Sequence, residues 1–244
     1  MPGLPAGLAS GERLTSELIH NTAELSPDSA PAVRWLQDGA AFSALEPAAE
    51  GSEDREIVAY DAATGARSVL VSAAQLTPSG AAQALKVEGY SWSADGLRLL
   101  VFTNTRKVWR TNSRGDYWTL DLRDGGGSVT RVGRPSSEEA VMMYAKLSPC
   151  GTRVGWVEHN DIWVQDLESR EATQLTTTGS PGHGGTAPVI NGNFDWAYEE
   201  ELSLSDVRAS QPTRLSARPP TRLPDTLWRQ GWRWSPDGSS IAFW

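Results

Sequence analysis

The sequence predicts an all-β protein: a β-propeller built from four-stranded antiparallel blades, incomplete at about four blades, with a short helix ahead of it. Three observations carry this expectation. Among 244 residues there are 11 Trp and 23 Gly, the composition of many short strands joined by tight turns, with aromatics filling the space between sheets. One hairpin pattern occurs four times. A second strand–turn–strand pattern follows three of those copies.

The first pattern reads "VRWLQDGAAFSAL", "YSWSADGLRLLVF", "AKLSPCGTRVGWV" and "WRWSPDGSSIAFW". Each joins an aromatic or apolar strand to an alternating strand through a turn that contains Gly. In Ser235–Gly238, Pro presets φ, Asp bonds back to the backbone and Gly accepts a positive φ. Pro149 and Gly151 hold those places in the third copy, and Asp95 and Gly96 in the second. The second pattern reads "EIVAYDAATGARSVLV", "DYWTLDLRDGGGSVTRV" and "DIWVQDLESREATQLT", each strand ending in Asp61, Asp121 or Asp166. These aspartates lie 60 and 45 positions apart, the length of a propeller blade. Short, regular strands also suit a sandwich, but a recurring four-stranded unit favours the propeller. The last copy stops at "IAFW" after one hairpin. Residues 31–244 are thus expected to form the partial propeller. Residues 1–30 form a separate segment, in which Leu14, Leu18 and Ile19 share the face of a short helix.

Charge and composition narrow the functional classes. A net charge of -8 argues against nucleic acid, which needs clustered Lys and Arg. No apolar run approaches a membrane span. "MPGLPAGLASGERLTSEL" lacks a basic n-region and an apolar h-region, so a cytoplasmic location is expected, with secretion open. The single Cys150 suits a reducing compartment and is expected to be a small buried hydrophobe. His20, His159 and His183 show no metal spacing and read as loop residues or residues of no assigned role. No cofactor is implied.

One stretch stands apart. "NGNFDWAYEEEL" sets Glu199, Glu200 and Glu201 side by side behind Trp196 and Tyr198. Asp195 is a good N-cap, and glutamates in a first helical turn gain about 0.3–1 kcal/mol each from the macrodipole. That accounts for a solvated helix turn; the alternative is a site waiting for a cation.

The motif Asp-Trp-x-Tyr-Glu-Glu-Glu-Leu resembles the signature of the dipeptidyl peptidase IV family of serine peptidases, in the prolyl oligopeptidase clan. "LTSELI…APAVRWLQDG", "VWRTNSRGDYWTLDL" and "GWRWSPDGSSIAFW" are similar to other segments of its N-terminal β-propeller. The resemblance implies that Glu200 and Glu201 bind the free N-terminal ammonium of a peptide substrate, and that Arg110 bonds a substrate carbonyl beside them. Charge-assisted bonds of this kind strengthen where water is excluded, and a nearby arginine favours ionised glutamates. Holding the amine at a fixed distance from the nucleophile measures off two residues.

The same resemblance implies a missing partner, the α/β-hydrolase domain, and a full-length enzyme that is often homodimeric. No G-x-S-x-G elbow occurs in the sequence, so no catalytic residue is assigned and the chain alone is expected to be inactive. Residues 203–230, rich in Pro, Arg and Ser, are expected to be a disordered insertion. The competing functional readings are a non-enzymatic propeller scaffold and the propeller of an oligopeptidase or acylaminoacyl peptidase.

Overall fold

The computed structural model describes residues 32–36, 39–108, 111–181, 187–194 and 231–243, together with Ser16. All of its strands fall in the second of two units, Val33–Trp244. The expected N-terminal helix lies outside the described residues apart from Ser16, and the expected insertion at 203–230 lies wholly outside them.

The first sheet contains β1 (Arg34–Trp35), β2 (Ala41–Pro47), β3 (Arg55–Asp61) and β4 (Arg67–Val71), paired in that order. A second unit follows: β5 (Gly89–Trp92), β6 (Arg98–Val108), β7 (Thr111–Asp121) and β8 (Thr130–Arg131). A third comprises β9 (Met142–Leu147), β10 (Arg153–Glu158), β11 (Asp161–Asp166) and β12 (Ala172–Gln174). The last pair, β13 (Trp232–Trp234) and β14 (Ile241–Phe243), forms a hairpin. Every pairing is antiparallel. The second and third units are not separate sheets, because β7 also pairs with β9 through Arg114↔Met143 and Gly115↔Met142.

The repeated turns are equivalent in their bonding. Ser93, Ser148 and Ser235 each accept a backbone bond on the side-chain oxygen from the residue five positions on: Arg98 at 2.8 Å, Arg153 at 3.0 Å and Ser240 at 2.9 Å. Gly96, Gly151 and Gly238 close the turns at φ of 72°, 70° and 72°, a conformation without penalty only for glycine. The turns also touch one another. A Cβ on Gly151 would lie 3.4 Å from Ser93, and one on Gly238 would lie 3.3 Å from Pro149. Asp61 and Asp166 cap the next turns of their units by accepting the amides of Thr64 and Ser169; Asp121 accepts that of Arg123.

Cys150 departs from expectation. It is exposed, because it stands where Asp95 and Asp237 stand in the neighbouring turns. Bonds with the Ser148 and Thr152 hydroxyls lower its thiol to about 7. The sequence offered no apolar partner on this turn, and position within the repeat decides exposure here.

Strand alternation builds a core on each side of the second unit. Leu99 and Val101 join Ile57, Val71 and Leu76 in the first core, whereas Leu100 joins Met142, Val154 and Trp156 in the second. The third core gathers Met143, Val157 and Ile162 around Trp232. Trp156 and Trp232 are wholly buried, and rings of that size remove about 150–250 Å² each from water. Gly155 makes room for Trp232: a Cβ there would lie 2.8 Å from the indole.

Candidate functional site

The loops fall at two ends of the units. One end holds the serine and aspartate turns. The opposite end holds the β6–β7 extension, the start of β9, the β10–β11 turn and the chain that leads toward the glutamates. Glu200, Glu201 and Arg110 themselves lie outside the described residues. What the structure gives is the set of elements from which they are reached.

β6 and β7 are 11 residues each, against 7 for β2 and β3. The added length is an arm ending in the Val108↔Thr111 pair, with register shifts on either side of Arg106. Asn104 sits at φ 48° at the shift, and its amide donates to Asp116 at 2.7 Å. Gly115 is required opposite: a Cβ there would lie 2.4 Å from the Phe102 ring. Asp116, buried at the arm's base, also accepts from Arg131 at 2.9 Å and the Ala140 amide at 3.1 Å. Burial alone would raise its carboxyl, but the bonds from Asn104, Arg131 and Ala140 outweigh that and hold it below the ordinary carboxylate value.

On the third unit, buried Glu158 accepts from Arg134 at 2.6 Å and from the Trp156 indole at 2.9 Å. Arg134 lies 4.1 Å over the Trp163 ring. His159 and Asn160 form the two-residue turn from β10 to β11 at φ 52° and 67°, the signature of a primed hairpin turn. His159 is therefore a loop residue, as expected; His20 and His183 lie outside the described residues.

Asp161 then ties down the following chain. Its Oδ1 accepts from Thr176 Oγ1 at 2.7 Å, the Gly179 amide at 3.0 Å and Asn191 Nδ2 at 3.0 Å. Its Oδ2 accepts from Gln174 at 3.2 Å. Asn191 also donates its backbone amide to the Asn160 carbonyl at 2.9 Å. Gly192, at φ 75°, packs so that a Cβ would lie 3.0 Å from Ile162. A Cβ on Gly231 would lie 2.8 Å from the Asn193 backbone. The chain before the glutamate motif and the chain entering β13 thus meet at one point.

One register row links these features. Arg114 pairs with Met143, Met143 with Val157, and Val157 with Ile162. Arg114 lies four residues from Arg110, and Gly192 contacts both Ile162 and Val157. The approaches to Arg110 and to the glutamates therefore emerge from one end of neighbouring strands.

A buried lysine occupies the third core. Lys146 donates to the Trp232 carbonyl and lies 4.4 Å over the Trp232 ring. Burial, and then the charge of Arg233, lowers its ammonium to about 7. Sequence reading missed Asp116, Glu158, Asp161 and Lys146, whose roles depend on burial between units. Among the described residues, no group of three His, Cys, Asp or Glu is arranged to hold a metal.

Residues 93–209 match the family model described as the dipeptidyl peptidase IV N-terminal region. The match supports a dipeptidyl peptidase IV N-terminal region over those residues. A Schizosaccharomyces pombe protein described as a dipeptidyl aminopeptidase is 30% identical over 159 residues, covering 65% of this chain and 16% of that protein. Dipeptidyl aminopeptidase B of Saccharomyces cerevisiae is 28% identical over 161 residues, covering 66% of this chain and 15% of the yeast protein. The chain thus spans about a sixth of the length of these relatives. The crystal structure of Porphyromonas gingivalis dipeptidyl peptidase 4 superposes with a TM-score of 0.55 at 24% identity, over 71% of this chain and 22% of that one. That likeness supports the β-propeller fold for the antiparallel units.

Proposed function

We propose that this chain is the propeller portion of a dipeptidyl peptidase IV-like serine exopeptidase, and that it gates and binds the free N-terminus of a peptide substrate. Glu200 and Glu201 face the ammonium, and Arg110 bonds the substrate carbonyl next to it. A hydrolase domain supplies the nucleophile. The observation that carries the reading is the register row from Arg114 to Ile162, because it brings the approaches to Arg110 and to the glutamates to the same end of the sheet. Glu200 follows Phe194 by six positions, a reach of roughly 20 Å at full extension. That span suits a site shared with the arm.

Two carboxylates confronting one ammonium give discrimination by charge: acetylating the amine removes the cation and leaves the carboxylates unneutralised. The test is equilibrium titration of the chain with alanyl-alanine amide and with its N-acetylated form. The free-amine form should bind more tightly, and Glu200→Gln, Glu201→Gln or Arg110→Ala should weaken it. Equal binding of both forms, unaffected by the glutamate variants, would leave the non-enzymatic scaffold as the better reading.

A further inference from the structure

We infer that Asp161 and Asn191 form a clamp that positions the glutamate motif, and that both are positioning residues for recognition of the substrate amine. The inference rests on the reading of Glu200 and Glu201 as ammonium-binding residues. It is carried by a different set of observations, all at the β10–β11 turn.

Asp161 is 7% exposed and Asn191 is 8% exposed, so ordinary solvation of either group is lost. A buried carboxylate in this situation needs several donors. Asp161 has four: Thr176, Gly179 and Asn191 on Oδ1, and Gln174 on Oδ2. The first three belong to chain that has already left β12, and the last of them follows Asp161 by 30 residues. One carboxylate therefore closes a long excursion at its far end. Thr176 passes the constraint back to β11 by accepting the Ile162 amide at 2.9 Å.

Asn191 is fixed in a second, independent way. Its backbone amide reaches the Asn160 carbonyl, and its side chain exchanges bonds with Thr178 at 3.1 and 3.4 Å. Side chain and backbone are thereby both set relative to the β10–β11 turn. The neighbouring glycines remove the remaining freedom by contact. Gly179 approaches the Asn160 carbonyl so closely that a Cβ would lie 2.7 Å away, and Gly192 abuts Ile162 and Val157. The glutamate motif starts four residues beyond Asn191, at Asp195. A backbone anchored this close passes its position and direction to the next few residues. Recognition of a charged group by paired carboxylates is sensitive to displacement, since about 1 Å of misplacement can cost two orders of magnitude.

The role differs from plain stabilisation in its consequences. A merely structural bond affects unfolding. A positioning bond affects the preference for a free over an acetylated amine while the fold persists. The full chain is titrated with alanyl-alanine amide and its N-acetylated form, and the thermal midpoint and the hydrogen-exchange protection of β10 and β11 are measured alongside. Asn191→Ala and Asp161→Ala should each reduce the free-amine preference about tenfold or more, with β10 and β11 still protected in Asn191→Ala. The double variant should lose no more than the worse single one, because both act through one clamp. Asp161→Asn, which keeps an accepting Oδ1, should recover most of what Asp161→Ala loses.

Unchanged preference in Asn191→Ala, in a chain where Glu200→Gln abolishes it, would overturn the clamp and leave the site reading intact. Additive losses in the double variant would also overturn it. If the native chain shows no preference and Glu200→Gln changes nothing, the site reading fails and the clamp falls with it.

Discussion

The two ends of the propeller units are built on different principles. At the turn end, four hairpins repeat one solution. Backbone bonds join Leu36, Ser93, Ser148 and Ser235 to the residues three and five positions on, and each turn ends in a glycine at φ near 70°. At the arm end nothing repeats. The β2–β3 connection is a loop from 48 to 54, β6 and β7 continue into an arm, and β10 and β11 join through His159 and Asn160. Five of the six described non-glycine residues at positive φ lie toward this end: Asn104, Ala140, Tyr144, His159 and Asn160. Backbone strain of this kind persists only where surroundings over-determine it. The buried carboxylates Asp116, Glu158 and Asp161 supply those surroundings. A repeat that is uniform at one end and individual at the other separates two tasks: the turn end specifies the hairpins, and the arm end holds particular geometry.

That separation can be broken experimentally. The largest expected effect is at the arm end's scaffold. Glu158→Ala leaves the buried Trp156 indole and Ser137 hydroxyl without their acceptor and half-buried Arg134 without its ion-pair partner, at about 1–3 kcal/mol for each buried donor. Urea unfolding should show that loss, and a shift under about 1 kcal/mol would mean that the network is dispensable.

Next come the glutamates, whose removal should act on recognition alone. In a version of the protein extended by a hydrolase domain, Glu200→Gln or Glu201→Gln should lower kcat/KM on a free-amine dipeptide substrate. The expected loss is about 30-fold to several thousand-fold, corresponding to about 2–5 kcal/mol for a truncated charge pair. The same change at Glu199 should be tolerated. Damage from Glu199→Gln with silence at Glu201 would shift the motif's register by one.

Lys146 gives a test by pH. In the unfolded chain its amine keeps the proton up to its ordinary value of 10.5, whereas in the folded chain it releases it at about 7. Between those values the unfolded state binds the extra proton, so stability should rise as pH increases through that window. Below it both states are protonated, and the cost of the buried charge is carried in full. The gain is on the order of a few kcal/mol. Cys150 shifts in the same direction from an exposed site, so the comparison is native protein against Lys146→Met, in which most of the slope from pH 7 to 10 should vanish. Equal slopes in the two proteins would place the titration elsewhere.

The smallest effect belongs to the turn end. Gly96→Ala forces a side chain onto a residue at φ 72° with open space around it, at about 1–2 kcal/mol. Thermal unfolding should register this, while amine binding stays unchanged. A loss of binding would show that the two ends are coupled after all.

The same division governs how much was legible in the sequence. The turn end was legible because its chemistry is local. Ser-Pro-Asp-Gly states its own hairpin, and the strands do end at Asp61, Asp121 and Asp166. The arm end was legible only as a motif. The Glu-Glu-Glu stretch and the resemblance it carries raise only the expectation of a site; Asp161 looked like any strand residue, and its partner Asn191 lies 30 positions away. Cys150 was misread for the opposite reason: its type suggested burial, while the turn it occupies faces solvent.

The sequence by itself determined the strand–turn period and the all-β class, because hairpin turns and alternating strands are set by neighbours within a few residues. Only the tertiary structure decided that the second and third units join through β7 and β9, that Trp232 fills the space over Gly155, and that Asp161 anchors the approach to the glutamates. Those outcomes depend on groups brought together across tens of residues, where burial turns an ordinary carboxylate, amide or indole into a fixed point, and no local pattern encodes that.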